Sequence, residues 1–264
     1  MFVFDDRYSY RMPVHFSGVP GSGLQNLRYD DVTAINIGYR TDRDRLLQYV
    51  PAAFELLAPV VDVGYQKCSG IHWMGGGYYS LIAFMTPVRH RASGVEGAYV
   101  LVIWENKTAP ILGGREETGM PKIFAEIPDH HVLGERVTVH ASHEGRVFLE
   151  LALDLEAALT DQELTAKSAA GRINQLGWRY IPNIGRPGAA LSHATLYPVD
   201  ATYLSGSRAR GRIAWTKAEP QFNPAQAAVV NALADLPVLE YRECLYTKLA
   251  TNLRGDLARE LREE

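Results

Sequence analysis

No apolar run of about 18 residues occurs in this chain, so no segment is long enough to cross a bilayer as a helix. Cysteine is scarce: Cys68 and Cys244 are the only two in 264 residues, and they lie far apart. Two isolated thiols build neither a disulfide framework nor a metal cage, and a reduced, cytoplasmic protein is the expectation. Long runs of one charge are missing, and the net charge is −3. That excludes the clustered cations of a nucleic-acid footprint. The opening Met1 to Arg7 lacks the basic-then-apolar order of a secretory leader. Zinc-protease spacing and a Ser–His–Asp signature are absent as well. His140 and His143, three apart in a predicted strand, face opposite ways and cannot chelate together. Neither metal nor cofactor is expected, nor a nucleic-acid or membrane partner.

What is present is a chain that is 47% hydrophobic, enough for a sizeable core. It reads as one domain over residues 1–264. Residues 1–30, with Gly18, Gly21, Gly23, Pro13 and Pro20, form an extended arm with turns. Residues 252–264 form a charged, helical or frayed tail. Between them, many short strands alternate with Gly/Pro turns, which predicts a β-rich architecture. Strands are expected at 32–40, 60–67, 78–85, 98–105, 174–181 and 191–204, with a hairpin of 136–142 and 146–154 turning at His143-Glu144-Gly145. A further strand covers 238–249, with Tyr241 and Tyr246 on opposite faces. Residues 155–170 read as loop or partial helix. Thr41 or Asp42 caps a short helix that Pro51 stops, and 52–57 continue as helix or turn. Asn223-Pro224 opens a helix that ends near Leu236. Arg208, Arg210 and Arg212 alternate on one strand face, which reads as solvated.

The chain is organised around Gly113-Gly114-Arg115-Glu116-Glu117-Thr118-Gly119-Met120-Pro121-Lys122. An apolar strand, Tyr99 to Trp104, leads into this glycine-rich stretch, and Ile123 to Ile127 reads as another strand after it. Pro121 fixes its own φ and biases Met120 toward extended backbone. Lys122 therefore stands on a stiff platform among Met120, Ile123 and Phe124, where it can lose hydration. On spacing alone, a solvated turn lysine is the commoner case. Two other stretches stand out. In 32–40, Ile35, Ile37 and Tyr39 share one face, while Ala34, Asn36, Gly38 and Arg40 form a small, polar one. The segment Cys68 to Gly77 carries Trp73 and Met74 on a glycine-rich loop, read as mobile and lying over a pocket; His72 within it can reach such a pocket.

Gly114-Arg115-Glu116…Pro121-Lys122 resembles the signature of the acetoacetate decarboxylase family. Tyr39-Arg40-Thr41-Asp42, followed by a helix and Val50-Pro51, resembles that family's N-terminal motif, and Ile181-Pro182-Asn183 matches a downstream element. The three keep the family's order, and the similarity spans roughly residues 30 to 250. The resemblance implies an α+β, mainly antiparallel β fold: a β-barrel or cone wrapped by further strands, with a few peripheral helices, assembled as a homo-oligomer.

It also implies chemistry. In the family this lysine attacks a ketone or keto acid and forms an imine. An ordinary lysine, with a pKa of about 10.4, is neutral in only about one molecule in 2,500 at pH 7. Burial or a neighbouring cation raises that fraction, a property the resemblance supplies and composition does not. True decarboxylases carry two adjacent lysines, where this chain has Lys122-Ile123. They also place pocket glutamates where it has Gln66 and Leu81, while their arginine partner is kept as Arg40. The pattern resembles the family's non-decarboxylating branch, which condenses pyruvate with aldehydes and dehydrates the adduct, or runs the reverse. The expected catalytic residues are Lys122, with Glu116 and Tyr246 as proton shuttles and Tyr241 in reserve. Arg40 and Gln66 are the expected substrate-binding groups, and the expected partners are a small keto acid and an aldehyde. Acetoacetate or β-keto acid decarboxylation, and a non-catalytic binding protein of the same fold, stand as the alternatives.

Overall fold

A computed structural model describes residues 2–16, 18–20 and 26–262; Gly21 and Gly23 of the arm and the last two residues of the tail lie outside them. The order of elements is β1 (Tyr8–Tyr10), β2 (Gly18–Pro20), β3 (Leu27–Arg40), α1 (Arg43–Leu47), β4 (Phe54–Leu56), β5 (Val60–Ile71), β6 (Gly77–His90), β7 (Glu96–Glu105), α2 (Thr108–Thr118), β8 (Lys122–Phe124), β9 (His131–Leu133), β10 (Arg136–His143), β11 (Arg146–Ala158), α3 (Asp161–Ala169), β12 (Arg172–Pro182), β13 (Ala189–Trp215), α4 (Ala227–Ala234), β14 (Glu240–Leu253) and β15 (Arg259–Leu261). Short 3₁₀ turns cover His72–Met74 and Gly255–Leu257.

One sheet runs β12-β7-β6-β5-β3-β14-β13, and β13 pairs back onto β12, so these strands close into a ring. All its pairings are antiparallel except β12 with β7. Closure removes exposed edges, the liability of an open sheet. At the parallel seam the backbones approach closely: a Cβ on Gly97 would lie 2.8 Å from Asn174 Cβ and press on the Asn174 carbonyl. Beyond β13 the sheet continues through β11, β10 and β9. Leu149, Leu151 and Leu153 of β11 and Val137 and Val139 of β10 share one buried cluster with Ile35, Ile37, Tyr65, Phe84 and Trp104 of the ring. The outer strands thus wrap one face of the ring strands. This is the mainly antiparallel, barrel-like, strand-wrapped architecture expected above.

Local chemistry explains most boundaries. Asp42 caps α1 by accepting the Arg45 amide at 2.9 Å. Thr160 and Glu163 form a reciprocal capping box that starts α3. The β10–β11 hairpin turns where Glu144 and Gly145 take positive φ.

Several expectations are corrected. The glycine-rich stretch, for which no helix was expected, is largely helical: α2 runs from Thr108 through Glu117 to Thr118. Two mid-helix glycines cost about 1 kcal/mol each relative to alanine, so propensity argued against a helix that tertiary packing imposes. Of residues 52–57, expected as helix or turn, Ala52 and Ala53 do turn, and Phe54–Leu56 form the short strand β4, paired with β6. Helix α4 begins at Ala227, because Asn223 caps a turn ahead of it by accepting the Gln226 amide. Up to Leu261 the tail is mostly strand in place of a helix: β14 extends to Leu253, a single 3₁₀ turn follows at Gly255–Leu257, and β15 pairs with β13. Arg208, Arg210 and Arg212 do lie on an exposed face as expected, and there Arg208 and Arg210 also pair with Glu163 and Glu156. The segment Cys68 to Gly77 is mostly ordered strand and 3₁₀ turn, and Trp73 and Met74 pack on the cluster of Tyr29, Tyr79 and Leu249.

Candidate active site

β7, α2 and β8 form a β–α–β crossover. Two parallel strands cannot be joined by a hairpin and need such a detour. The crossover returns the chain so that Lys122 pairs with Ile103 and Phe124 with Glu105. Ile103 and Glu105 are two apart, so their side chains share a face of β7. Lys122 joins them on it. Its Nζ lies 2.8 Å from Glu105 Oε1, and it donates to the Pro110 carbonyl at 3.2 Å. The lysine side chain is 13% exposed and that of Glu105 is fully buried.

Helix α2 packs directly over the lysine. A Cβ on Gly114 would sit 2.5 Å from Lys122 Cε and 2.9 Å from Nζ, so only glycine leaves room for this side chain. The helix ends immediately afterwards. Gly119 adopts φ 71°, and the Gly114 carbonyl accepts from the Met120 amide at 3.0 Å and the Thr118 hydroxyl at 2.8 Å. The exit of β7 is fixed as firmly by Asn106, which accepts the Ser80 amide and donates to the Ile127 carbonyl.

Glu105 occupies a row that crosses five strands: Thr247, Ala34, Gln66, Leu81 and Glu105 are successive cross-strand partners. Directly paired residues share a face. Gln66 and Leu81 therefore line the same face as the lysine pair. Burial pushes the Glu105 carboxyl above the usual carboxylate range, and Lys122 pulls against that shift. Neither Glu105 oxygen accepts any other hydrogen bond, so Lys122 Nζ is its sole polar partner among the described residues. Further along this face, Tyr79 pairs with Cys68; the Tyr79 and Tyr29 hydroxyls lie 3.1 Å apart, and Trp73 Nε1 donates to Tyr29 at 3.3 Å. Burial raises both tyrosine pKa values.

The other expected site residues are placed elsewhere. Glu116 lies on α2 roughly 200° around the helix from Gly114, while Glu117 on the near side pairs with Arg11. Tyr246 pairs with Ile35 across the sheet, which puts it on the face opposite Lys122, and its hydroxyl lies 3.3 Å from His130 Nε2. A bulge between Tyr241 and Cys244 brings Tyr241 opposite Tyr39. Tyr241 and Tyr246 thus share a face, contrary to the alternation expected of an unbroken strand. Arg40 is four residues along β3 from Asn36, the residue in the row of Lys122, or about 13 Å. It pairs with Glu240 at 3.2 Å and remains half exposed. His72 pairs with Asp30 at 2.7 Å at the surface. Two hollows of about 100 and 250 Å³ lie beside Phe222 and beside Arg259, and neither is lined by Lys122 or Glu105.

Residues 11–258 match the model of the family described as acetoacetate decarboxylase. The chain belongs to the acetoacetate decarboxylase family. An acetoacetate decarboxylase of Burkholderia ambifaria (strain MC40-6) is 30% identical over 244 residues, covering 89% of this chain and 87% of the relative. The fold is shared with the acetoacetate decarboxylase of Legionella pneumophila, at TM-score 0.78 and 20% identity over 98% and 94% of the two chains. It is shared too with the enduracididine biosynthesis enzyme MppR, solved with the condensation product of pyruvate and imidazole 4-carboxaldehyde, at TM-score 0.74 and 16% identity over 98% of each chain.

Sequence reasoning missed Glu105. The signal was there: a lone acid ends the apolar run at Trp104, in phase with Ile103 and hence on the face Lys122 joins. It went unread because nothing in the linear pattern revealed that a crossover would carry position 122 back to position 105.

Proposed function

We propose that this protein is a Schiff-base lyase that acts on small keto acids such as pyruvate through Lys122. Its leading reaction is aldol condensation with an aldehyde followed by dehydration, or the reverse. The observation that carries the reading is the sheltered Lys122 amine, held 2.8 Å from Glu105 under Gly114. Water is largely excluded there, and a nitrogen so placed can bond a carbonyl carbon without competition from solvent. The protonated imine then draws electrons from the α-carbon and stabilises an enamine. MppR, of the same fold, is solved with pyruvate and with a pyruvate–aldehyde condensation product, which supports a substrate of this kind.

Gln66, on the row of Glu105, is the group proposed to hold the substrate's polar end; Arg40 serves the far end of a longer adduct. Glu116 and Tyr246, as now placed, would need rearrangement to shuttle protons. Decarboxylation of a β-keto acid is the second reading, favoured by the 30% identity to relatives named acetoacetate decarboxylase. The residues argue against it here: the face that carries Lys122 has Leu81 where the family resemblance places an acid, and Ile123 follows Lys122 where it places a second lysine. Action in the cytoplasm as a homo-oligomer belongs to the same proposal. Incubation with pyruvate and an aromatic aldehyde, followed by ultraviolet absorbance of the conjugated product, tests the first reading; carbon dioxide release from acetoacetate tests the second. Product without release is expected. Release without product would reverse the order.

A further inference from the structure

Building on the Schiff-base reading, we infer that Glu105 is the acid–base residue of the site and that the enzyme activates carbonyl compounds by removing an α-hydrogen. The carboxylate is the charged group facing Lys122 Nζ, it is wholly buried, and it has no other hydrogen-bond partner among the described residues. A buried carboxylate whose only polar contact is the reacting nitrogen is placed to exchange protons with that nitrogen and with whatever is bonded to it.

The steps balance around this one group. Glu105 takes a proton from the Lys122 ammonium, leaving amine and carboxylic acid. The nitrogen lone pair forms the N–C bond to the carbonyl carbon, and the carbonyl π pair moves to oxygen, which takes the proton from Glu105. Glu105 then removes the remaining extra proton from nitrogen. It returns that proton to the hydroxyl, which leaves as water while the nitrogen lone pair closes the C=N bond of the iminium. As a carboxylate again, Glu105 takes a proton from the α-carbon; the C–H pair becomes C=C and the C=N pair returns to nitrogen. The enamine forms its new C–C bond to an aldehyde, whose oxygen takes the proton from Glu105. At every stage the lysine nitrogen and Glu105 together carry no net charge, so no isolated charge is left in the buried site.

Loss of carbon dioxide needs no such base, because the breaking C–C bond supplies the electron pair. A buried carboxylate beside the lysine serves imine formation in either reaction, and at the step that follows, α-hydrogen removal requires it as a base while carbon dioxide loss does not. Glu105 also does what the displaced Glu116 and Tyr246 do not: it touches the reacting atom.

The test is exchange of the pyruvate methyl hydrogens in D₂O, followed by proton NMR, together with cyanoborohydride trapping of pyruvate on the protein. The wild type should exchange well above the buffer rate and carry the label on Lys122. Glu105→Gln should lose about 100-fold or more of the enzymic exchange yet still acquire the label on long incubation. Glu105→Asp should keep part of the exchange, and it decides the matter should the glutamine variant not fold. Exchange at the wild-type rate in Glu105→Gln, or exchange at only the buffer rate in a folded and labelled Glu105→Asp, overturns the role of Glu105. So does a wild type that is labelled but does not exchange. A wild type without label defeats the Schiff-base reading itself.

Discussion

Replacing Gly114 by alanine should disable the site while leaving the fold intact. The new Cβ would stand 2.5 Å from Lys122 Cε and 2.9 Å from Nζ. Carbon atoms settle at about 3.5–4.0 Å, so the lysine end must retreat by about 1 Å. From 2.8 Å, its distance to Glu105 grows toward about 4 Å, past hydrogen-bond range. A misplacement of about 1 Å at a reacting group costs about 100-fold in rate. The fold should tolerate the change, because the clash is with the far end of a flexible side chain and alanine favours a helix over glycine by about 1 kcal/mol. Gly113→Ala supplies the control: its Cβ would meet only Glu117 Oε2, at 3.9 Å, so it brings the helical gain without the push. The assay is the rate of borohydride-trapped label from pyruvate, with thermal melts alongside. Gly114→Ala should trap about 100-fold more slowly at a melting temperature near wild type, and Gly113→Ala should trap normally. Equal trapping rates in both would refute the argument that this helix shapes the nucleophile's position.

Three further outcomes follow from the geometry. Lys122→Met and Glu105→Leu should each destabilise by about 3 kcal/mol in urea titrations, since each strands a buried partner, while the double variant should recover most of the loss. Trp104, fully buried against Phe84, Phe148 and Trp215 and donating to Gln226, should cost about 4 kcal/mol when cut to alanine, read as a lower urea midpoint. Acid should act through Glu163, which Arg208 holds at about 2, and Asp200, which Arg172 holds at about 2. A carboxylate lowered on folding contributes stability above its unfolded value of about 4, and that contribution disappears as pH falls toward 2. Thermal melts between about pH 4.5 and 2 should therefore fall less steeply for Asp200→Asn than for wild type.

The sequence made most of the sheet readable, because strands such as β3 and β11 alternate and the caps at Asp42 and the Glu144-Gly145 turn are local chemistry. It hid α2, since Gly113 and Gly114 oppose helix by propensity and are required only by a lysine that packs on them from a later strand. It hid the bulge after Tyr241 for a similar reason, as a single inserted residue changes which face every later side chain takes. Lys122, Gln66 and Leu81 were legible as a group through family motifs, and the sheet register brings them to one face. Glu105 was not, because its importance comes from a pairing of strands, which no local pattern records.

The central claim is that the Lys122 amine bonds a carbonyl carbon. Mass spectrometry of the protein incubated with pyruvate and borohydride tests it directly. The account predicts the mass of one reduced pyruvate per chain, on the peptide holding Lys122, and none in Lys122→Ala. An unmodified wild-type protein, or a label on any other lysine, would contradict it.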